Sequence, residues 1–152
     1  MARVKRVRAA VPADAAAIAR LSAQLGYPVA TQALATRLQA LAASEAQAVY
    51  VATDGHGEVV GWIHGAEQVL VESGIRCEIL GLIVDETSRR SGVGRQLVEA
   101  VERWARARDL PEMSVRSAVG RAESHPFYEQ LGYRRVKSQH VYRKPLGGAE
   151  HT

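Results

Sequence analysis

Residues 80–110 read LGLIVDETSRRSGVGRQLVEAVERWARARDL, and the rest of the chain is organised around this stretch. An apolar run leads into a short polar loop, which closes with two arginines and a Gly-x-Gly and is followed at once by a helix-period sequence. A strand–loop–helix joint of this kind presents unpaired backbone N–H groups to an anion, and the helix dipole adds partial positive charge at the same point. The stretch therefore predicts a site for a phosphate-bearing ligand.

The composition fits one folded domain. The chain has 152 residues, of which 47% are apolar and 24% charged, so it can bury a core without metals or disulfides. No run approaches the roughly 18 apolar residues that a membrane helix needs, and no apolar signal core follows the basic N-terminus. The lone cysteine, Cys77, fits a reducing compartment. We expect a cytoplasmic protein with a single domain over 1–152, a core at about 4–145 and a frayed tail at 146–152.

The net charge of +4 comes mainly from arginine. These arginines are spread over several segments, and few aromatic residues lie among them to stack on bases. We therefore expect no nucleic-acid partner and no membrane partner. A phosphorylated small molecule needs only a few of these charges, and Arg89, Arg90 and Arg95 stand beside the glycine loop.

Hydrophobic periodicity predicts the order β-α-α-β-β-β-α-β-α-β-β, which is a mixed α/β (α+β) domain. We predict strands at 4–11, 49–53, 59–71, 75–84, 113–117, 133–136 and 139–144. The first helix follows Asp14 and stops at Gly26, and Thr31 is placed to cap the second; the others span 93–108 and 121–131, the last ending at Gly132. The sheet should be mainly antiparallel with one parallel join.

The glycine loop does not fit the two common nucleotide-binding motifs. It lacks the Gly-Lys-[Ser/Thr] of a P-loop, and Gly92-Val93-Gly94 is not followed by the third glycine of Gly-x-Gly-x-x-Gly. By itself a Gly-x-Gly is also compatible with an ordinary tight turn between a strand and a helix.

Arg89-Arg90-Ser91-Gly92-Val93-Gly94 does match [Gln/Arg]-x-x-Gly-x-[Gly/Ala], directly after the strand end at 82–84. Here the sequence resembles the GNAT superfamily of acyl-CoA N-acyltransferases. The segment FYEQLGY at 127–133 is similar to that family's late helix and the glycine that follows it, and the predicted element order is also the family order. The resemblance covers about residues 4–145 and implies the GNAT fold, a mixed and mainly antiparallel central sheet flanked by helices.

The resemblance implies acetyl-CoA as the acyl donor. Its pantetheine would pair with strand backbone and its pyrophosphate with loop N–H groups, which requires exposed backbone and so favours a splay or a bulge near Gly81. Two departures concern this site: Arg90 stands where the family often has glycine, and Arg121 replaces a common asparagine. The cofactor-binding residues carried over are Leu82, Ile83, Val84, Arg89, Arg90, Ser91, Gly92, Val93, Gly94, Arg95, Arg121 and Tyr128.

The implied reaction is direct attack of an amine on the thioester, which needs a base for the ammonium proton and an acid for the leaving thiolate. Tyr128 matches the family's thiolate-side tyrosine, and a phenol of pKa about 10 suits that acid; the alternative role is packing. Glu78 is the candidate base, directly or through water, because it is a lone charge in an apolar strand. Its alternative role is an ion pair with Arg76 or another arginine.

Further residues are candidates for the acceptor side of the site. His64 is a second candidate base, although a strand histidine is often structural, and His125 either lines the acceptor site or begins the last helix. Acceptor choice in the family lies at the joint between the first two helices, where Tyr27 stands, and in the turn at 69–74. The five histidines and Cys77 show no metal-ligand spacing, so we expect no metal.

The function that follows is transfer of an acetyl group from acetyl-CoA to a primary amine of a small molecule. The layout is most similar to small stand-alone GNAT enzymes, which include aminoglycoside and aminoalkylphosphonate acetyltransferases. Two alternatives stay open: acetylation of a protein lysine or N-terminus, and a non-catalytic acyl-CoA-binding module on the same fold. Tyr128 and the intact loop favour the enzyme. A homodimer through the late strands is compatible with the pattern.

Overall fold

In the part of the chain that the structure describes, five strands form one sheet in which each strand lies beside its neighbours in sequence. The computed structural model describes residues 6–89, 91–116 and 124–147, with only the backbone at 124 and 125. The strands are β1 (Arg6–Ala9), β2 (Gln47–Thr53), β3 (Val59–Leu70), β4 (Gly74–Val84) and β5 (Met113–Val115). The helices are α1 (Ala15–Gln24), α2 (Thr31–Ala42), α3 (Val93–Ala107) and α4 (Ser124–Gln130).

The strand directions confirm the predicted sheet. β1 to β4 are antiparallel, and β5 joins β4 in parallel after the crossover through α3. The chain divides into two compact units, Met1–Val115, which holds the sheet and α1 to α3, and Arg116–Thr152, which holds α4. The order of elements is the predicted one as far as α4.

Two sequence-based expectations need correction. Residues 133–147 contain no strand, so the two closing strands that we predicted are absent from the described part of the chain. Their alternating pattern is not sufficient, because a strand also needs a partner for its backbone groups, and Val136 and Tyr142 are 87% and 89% exposed. Thr31 is the first residue of α2 and not its cap; Ala30 precedes the helix in an extended conformation with no side-chain cap.

Small residues in β3 bring α3 close to one face of the sheet. A Cβ atom at Gly61 would lie 3.1 Å from side-chain atoms of both Leu97 and Val93, and a Cβ at Gly65 would lie 2.6 Å from Cγ1 of Val101. The three α3 residues are at most 1% exposed. The apolar face of α3 thus packs directly on strand backbone, where a larger side chain in β3 would push the helix away.

The opposite face of the sheet is covered by α1 and α2. Ile18 and Leu21 from α1 and Leu38 from α2 form a buried cluster with Val51 of β2, and Trp62 of β3 packs against it. Asp14, directly before α1, is linked to β1 by an ion pair. The Arg8 guanidinium donates to both oxygens of its buried carboxylate at 2.8 and 2.9 Å. Residues that share a face with Trp62 therefore point towards the layer of the first two helices.

A β-bulge interrupts β4 next to Gly81. His64 lies opposite Gly81, but Gly65 lies opposite Ile79, so Leu80 is an extra residue without a partner in β3. Within the described residues, the parallel strand β5 pairs with β4 at Cys77, Glu78 and Ile79. The bulge expected near Gly81 is confirmed, and it lies where the pairing between β4 and β5 ends.

Candidate active site

The loop between β4 and α3 leaves N–H groups available for an anion. Gly92 adopts φ +90° at the cap position of α3, a conformation that favours glycine. The first helical hydrogen bond runs from Gln96 N–H to the Gly92 carbonyl at 3.0 Å. The N–H groups of Val93, Gly94 and Arg95 precede it and have no acceptor within the helix. The positive end of the helix dipole is at the same place.

Side chains of the loop brace it against the end of β4. Arg89 Nε donates to the Val84 carbonyl at 3.3 Å, and the Ser91 hydroxyl donates to the carbonyl of Ser88, which is fully buried. Arg95 lies on the exposed side of α3, with Nε 3.4 Å from Glu99 Oε2. Arg89 therefore both holds the loop and adds positive charge to it. Arg90 lies outside the described residues.

The last part of β4 presents backbone groups on its open side. Asp85 N–H donates to the Val60 carbonyl at 2.8 Å, so the backbone of Asp85 faces β3. Since strand backbone groups alternate in direction, those of Ile83 also face β3, and those of Leu82 and Val84 face away. Among the described residues no strand lies on that side beyond Ile79. An extended ligand with amide groups can pair with the backbone of Leu82 at this edge. The Val84 carbonyl already accepts a hydrogen bond from Arg89.

Glu78 lies in the sheet interior and is 7% exposed. It stands between Ala66 of β3 and Ser114 of β5 in the strand register, and the Ser114 hydroxyl donates to Glu78 Oε1 at 3.4 Å. Arg76, the partner considered from the sequence, forms an ion pair of 3.8 Å with Glu112. The Glu78 carboxylate thus lies on the sheet face that α1 and α2 cover. It is one residue before Ile79, where the pairing of β4 with β5 ends.

His64 lies on the same face as Glu78. It is two residues from Ala66, which is opposite Glu78, so the two side chains are diagonal cross-strand neighbours. Its Nε2 is 2.6 Å from Gln47 Oε1. Burial lowers the pKa of the His64 imidazole below its ordinary value, so the ring is neutral at neutral pH and can accept a proton or a hydrogen bond. The structure brings these two sequence candidates together.

The remaining candidates lie elsewhere in the chain. Tyr27 is 57% exposed at the joint between α1 and α2. Tyr128 is half-buried in α4, with its ring edge-on to Phe127 at 5.0 Å and to Tyr133 at 5.8 Å between centroids. Gly132, at φ +93°, ends that helix as expected. Arg121 and the side chain of His125 lie outside the described residues.

Three contributors to this region were missed by sequence reasoning. They are Gln47, Ser114 and Trp62, whose ring lies so close to Gly81 that a Cβ there would be 2.8 Å from Cη2. A glycine inside an apolar strand hints at such a close approach, but nothing in the sequence points to Gln47 or Ser114. Glu67, which precedes the turn at 69–74, binds Arg108 at 2.7 Å.

In residues 6–89, 91–116 and 124–147, no group of three or more His, Cys, Asp or Glu side chains is arranged to hold a metal ion. Over the same residues, no helix has the length and apolar character needed to cross a bilayer.

Comparison with known proteins finds similarity to acetyltransferases in both sequence and structure. Residues 15–133 match the model of the Acetyltransferase (GNAT) family. An aminoglycoside N(6′)-acetyltransferase type 1 from Stenotrophomonas maltophilia is 32% identical over 144 residues, which is 92% of this chain and 93% of that protein. The crystal structure of AAC(6′)-Ih from Acinetobacter baumannii, an aminoglycoside antibiotic 6′-N-acetyltransferase, covers 93% of this chain and 99% of its own, with TM-score 0.80 and 17% identity. AAC(6′)-Iy in complex with the bisubstrate analogue CoA-S-monomethyl-acetylneamine covers 92% and 97%, with TM-score 0.80 and 20% identity.

Proposed function

Because the chain belongs to the GNAT family of acetyltransferases, we propose that it acetylates the 6′-amine of an aminoglycoside with acetyl-CoA as donor. One observation carries the choice of acceptor: the 32% identity to an aminoglycoside N(6′)-acetyltransferase extends over 92% of this chain and 93% of that relative. It therefore includes the elements around the acceptor as well as the shared donor loop. We also place the enzyme in the cytoplasm, where acetyl-CoA is available and the buried Cys77 stays reduced.

The donor side of the proposal rests on the geometry of β4 and α3. When bound, acetyl-CoA supplies the activated thioester and carries the acetyl group. The open backbone edge at Leu82 would pair with its amide-bearing arm, and the N–H groups of Val93, Gly94 and Arg95 would bind its pyrophosphate. Arg89 adds a full positive charge beside these N–H groups while its Nε stays bonded to the Val84 carbonyl. Ile83 supports this edge through its packing in the α1–α2 layer.

The acceptor side rests on the face that Glu78 and His64 share. An aminoglycoside amine is mostly protonated at neutral pH, so it must lose a proton before it can attack the thioester. The buried Glu78 carboxylate, steadied by Ser114, would attract the ammonium group and take that proton, directly or through a water molecule. The neutral His64 ring lies beside it and would contact the acceptor. Tyr128 would donate a proton to the leaving thiolate.

The direct test compares two aminoglycosides that differ only at the 6′ position. Neomycin carries a 6′-amine and paromomycin a 6′-hydroxyl, so thiol release from acetyl-CoA should be fast with the first and at least about a hundred-fold slower with the second. Equal release with both would place the transfer at another amine. Release only with lysine-containing peptides would favour a protein acceptor, and donor binding by calorimetry without release on any amine would favour a non-catalytic module.

The donor loop yields a prediction on Gly92, which has φ +90° and open space where a Cβ would be placed. Gly92→Ala is expected to shift the loop backbone and its N–H groups, and to raise KM for acetyl-CoA about tenfold or more. Gly57→Ala is the matched control, because Gly57 has φ +78° and equally open surroundings in the β2–β3 turn. Both variants should lose about 1–2 kcal/mol of stability. An unchanged KM in Gly92→Ala, or an equal rise in both variants, would contradict the donor site.

A further inference from the structure

A hydrogen bond between two neighbouring strands assigns a role to a residue that neither the motif nor the family resemblance includes. Resting on the proposed function, we propose that Gln47 is a positioning residue that fixes His64 in the Nε2–H tautomer, so that His64 Nδ1 accepts a hydrogen bond from the acceptor's ammonium group. Glu78, on the same face, then receives the proton from an amine already oriented by His64.

The tautomer follows from the chemistry of the two groups in contact. His64 Nε2 and Gln47 Oε1 are 2.6 Å apart. An amide oxygen has lone pairs and no proton, so the hydrogen of this bond belongs to Nε2. In a neutral imidazole the other nitrogen, Nδ1, is then the acceptor. Burial lowers the pKa of His64, which favours this neutral form over the imidazolium ion, a donor at both nitrogens.

The backbone of Gln47 is anchored at the start of β2. It is the first residue of β2, and its own N–H donates to the Ser44 carbonyl at 3.4 Å. Its register partner is Ala66, while His64 pairs with Val49, so the Gln47–His64 contact is diagonal across the two strands. The adjacent bond from Glu67 N–H to the Ala46 carbonyl, at 2.8 Å, anchors the start of the strand.

The side chains around His64 give its hydrogen bond to Gln47 a consequence for acceptor binding. Gln47 borders a cavity of about 250 Å³ together with Leu38, Leu41 and Ala42 of α2, and the titratable side chain in its lining is that of Tyr50. On β4, the ionisable side chains that share the face of His64 are Glu78 and Arg76. The ring thus has an amide partner on one side and an acidic neighbour on the other. A protonated amine placed beside Glu78 would therefore lie next to the position of His64 in the sheet.

The first experiment reads the tautomer without turnover. Nitrogen-15 NMR of the ligand-free protein at pH 8 should show Nδ1 of His64 as the unprotonated nitrogen. In Gln47→Met, which keeps the side-chain volume and removes the amide oxygen, the fraction of His64 with its proton on Nδ1 should rise measurably, because only the weaker intrinsic preference of the ring for Nε2–H is left. The matched control is Gln39→Met on the exposed side of α2, which should behave as wild type. A proton on Nδ1 in the wild-type protein overturns the proposal, whatever the activity.

The second experiment separates positioning from general support of the fold. Gln47→Met should raise KM for neomycin roughly two- to tenfold, the effect of losing one neutral hydrogen bond, and leave KM for acetyl-CoA unchanged. In His64→Ala the same Gln47 substitution should add nothing further. Additive losses, or equal rises in both KM values, would overturn the assignment. If wild-type protein acetylates no 6′-amine, the proposed acceptor fails, and the NMR result still decides whether Gln47 sets the tautomer.

Discussion

Replacing Glu78 with glutamine is expected to lower kcat for a 6′-amine acceptor by about 10²–10⁴, the usual contribution of a positioned general base. Glutamine has nearly the same shape and keeps an oxygen for the Ser114 hydroxyl, so the fold should survive the change. KM for acetyl-CoA should stay within about twofold of wild type, because the donor edge lies further along β4. Steady-state kinetics with acetyl-CoA and neomycin, together with thermal unfolding, measure the three quantities.

Two further variants test the role of Glu78 more closely. Glu112→Gln removes an exposed carboxylate that pairs with Arg76 at 3.8 Å, and it should leave kcat unchanged. Tyr128→Phe removes the proposed acid for the thiolate and should also lower kcat. If Glu78→Gln and Tyr128→Phe both keep the wild-type kcat, the assignment of the proton-transfer groups is wrong.

Gly65→Ala is expected to destabilise the protein by about 1–3 kcal/mol, the range for inserting a methyl group into a packed core. The new Cβ would lie 2.6 Å from Cγ1 of Val101, which is itself fully buried in α3. Helix and strand would have to separate at the centre of the α3 layer. Chemical denaturation of the variant and the wild-type protein gives the difference in the free energy of unfolding.

Val101→Ala provides the matched test of this contact, because it removes the atom that the new methyl group would meet. In the double variant the two losses should be less than additive by about 1 kcal/mol or more. Gly65→Ala with wild-type stability would contradict the close approach of α3. Fully additive losses would show that the strain lies somewhere other than at Val101.

The features that could be predicted from sequence are those set by local chemistry. An apolar run, a glycine at a cap position and a 3.6-residue period gave the joint between β4 and α3 with nearly correct bounds. The bulge was expected from the need for exposed backbone near Gly81, and it lies at Leu80. Glu78 stood out because a charge in an apolar strand is costly, and it is buried on the face that also carries His64.

The features that could not be predicted depend on pairing across the chain. His64 and Gln47 are 17 residues apart, and Glu67 and Arg108 are 41 apart. Each contact exists only because the strand register or the packing of α3 brings its members together. The prediction of closing strands at 133–136 and 139–144 was wrong for the same reason. Alternation describes the faces of a strand and does not supply its partner. Arg89 was predicted from the sequence as a residue of the cofactor site, and the structure adds its bond to the Val84 carbonyl.

The position of the acetyl group on the product tests the central claim most directly. Neomycin and acetyl-CoA would be incubated with the enzyme, and the product's new amide located by two-dimensional proton–carbon NMR. We expect a single acetamide at the 6′ nitrogen and no product from paromomycin under the same conditions. An acetamide at any other amine, or no acetylated aminoglycoside although acetyl-CoA binds, would contradict the account.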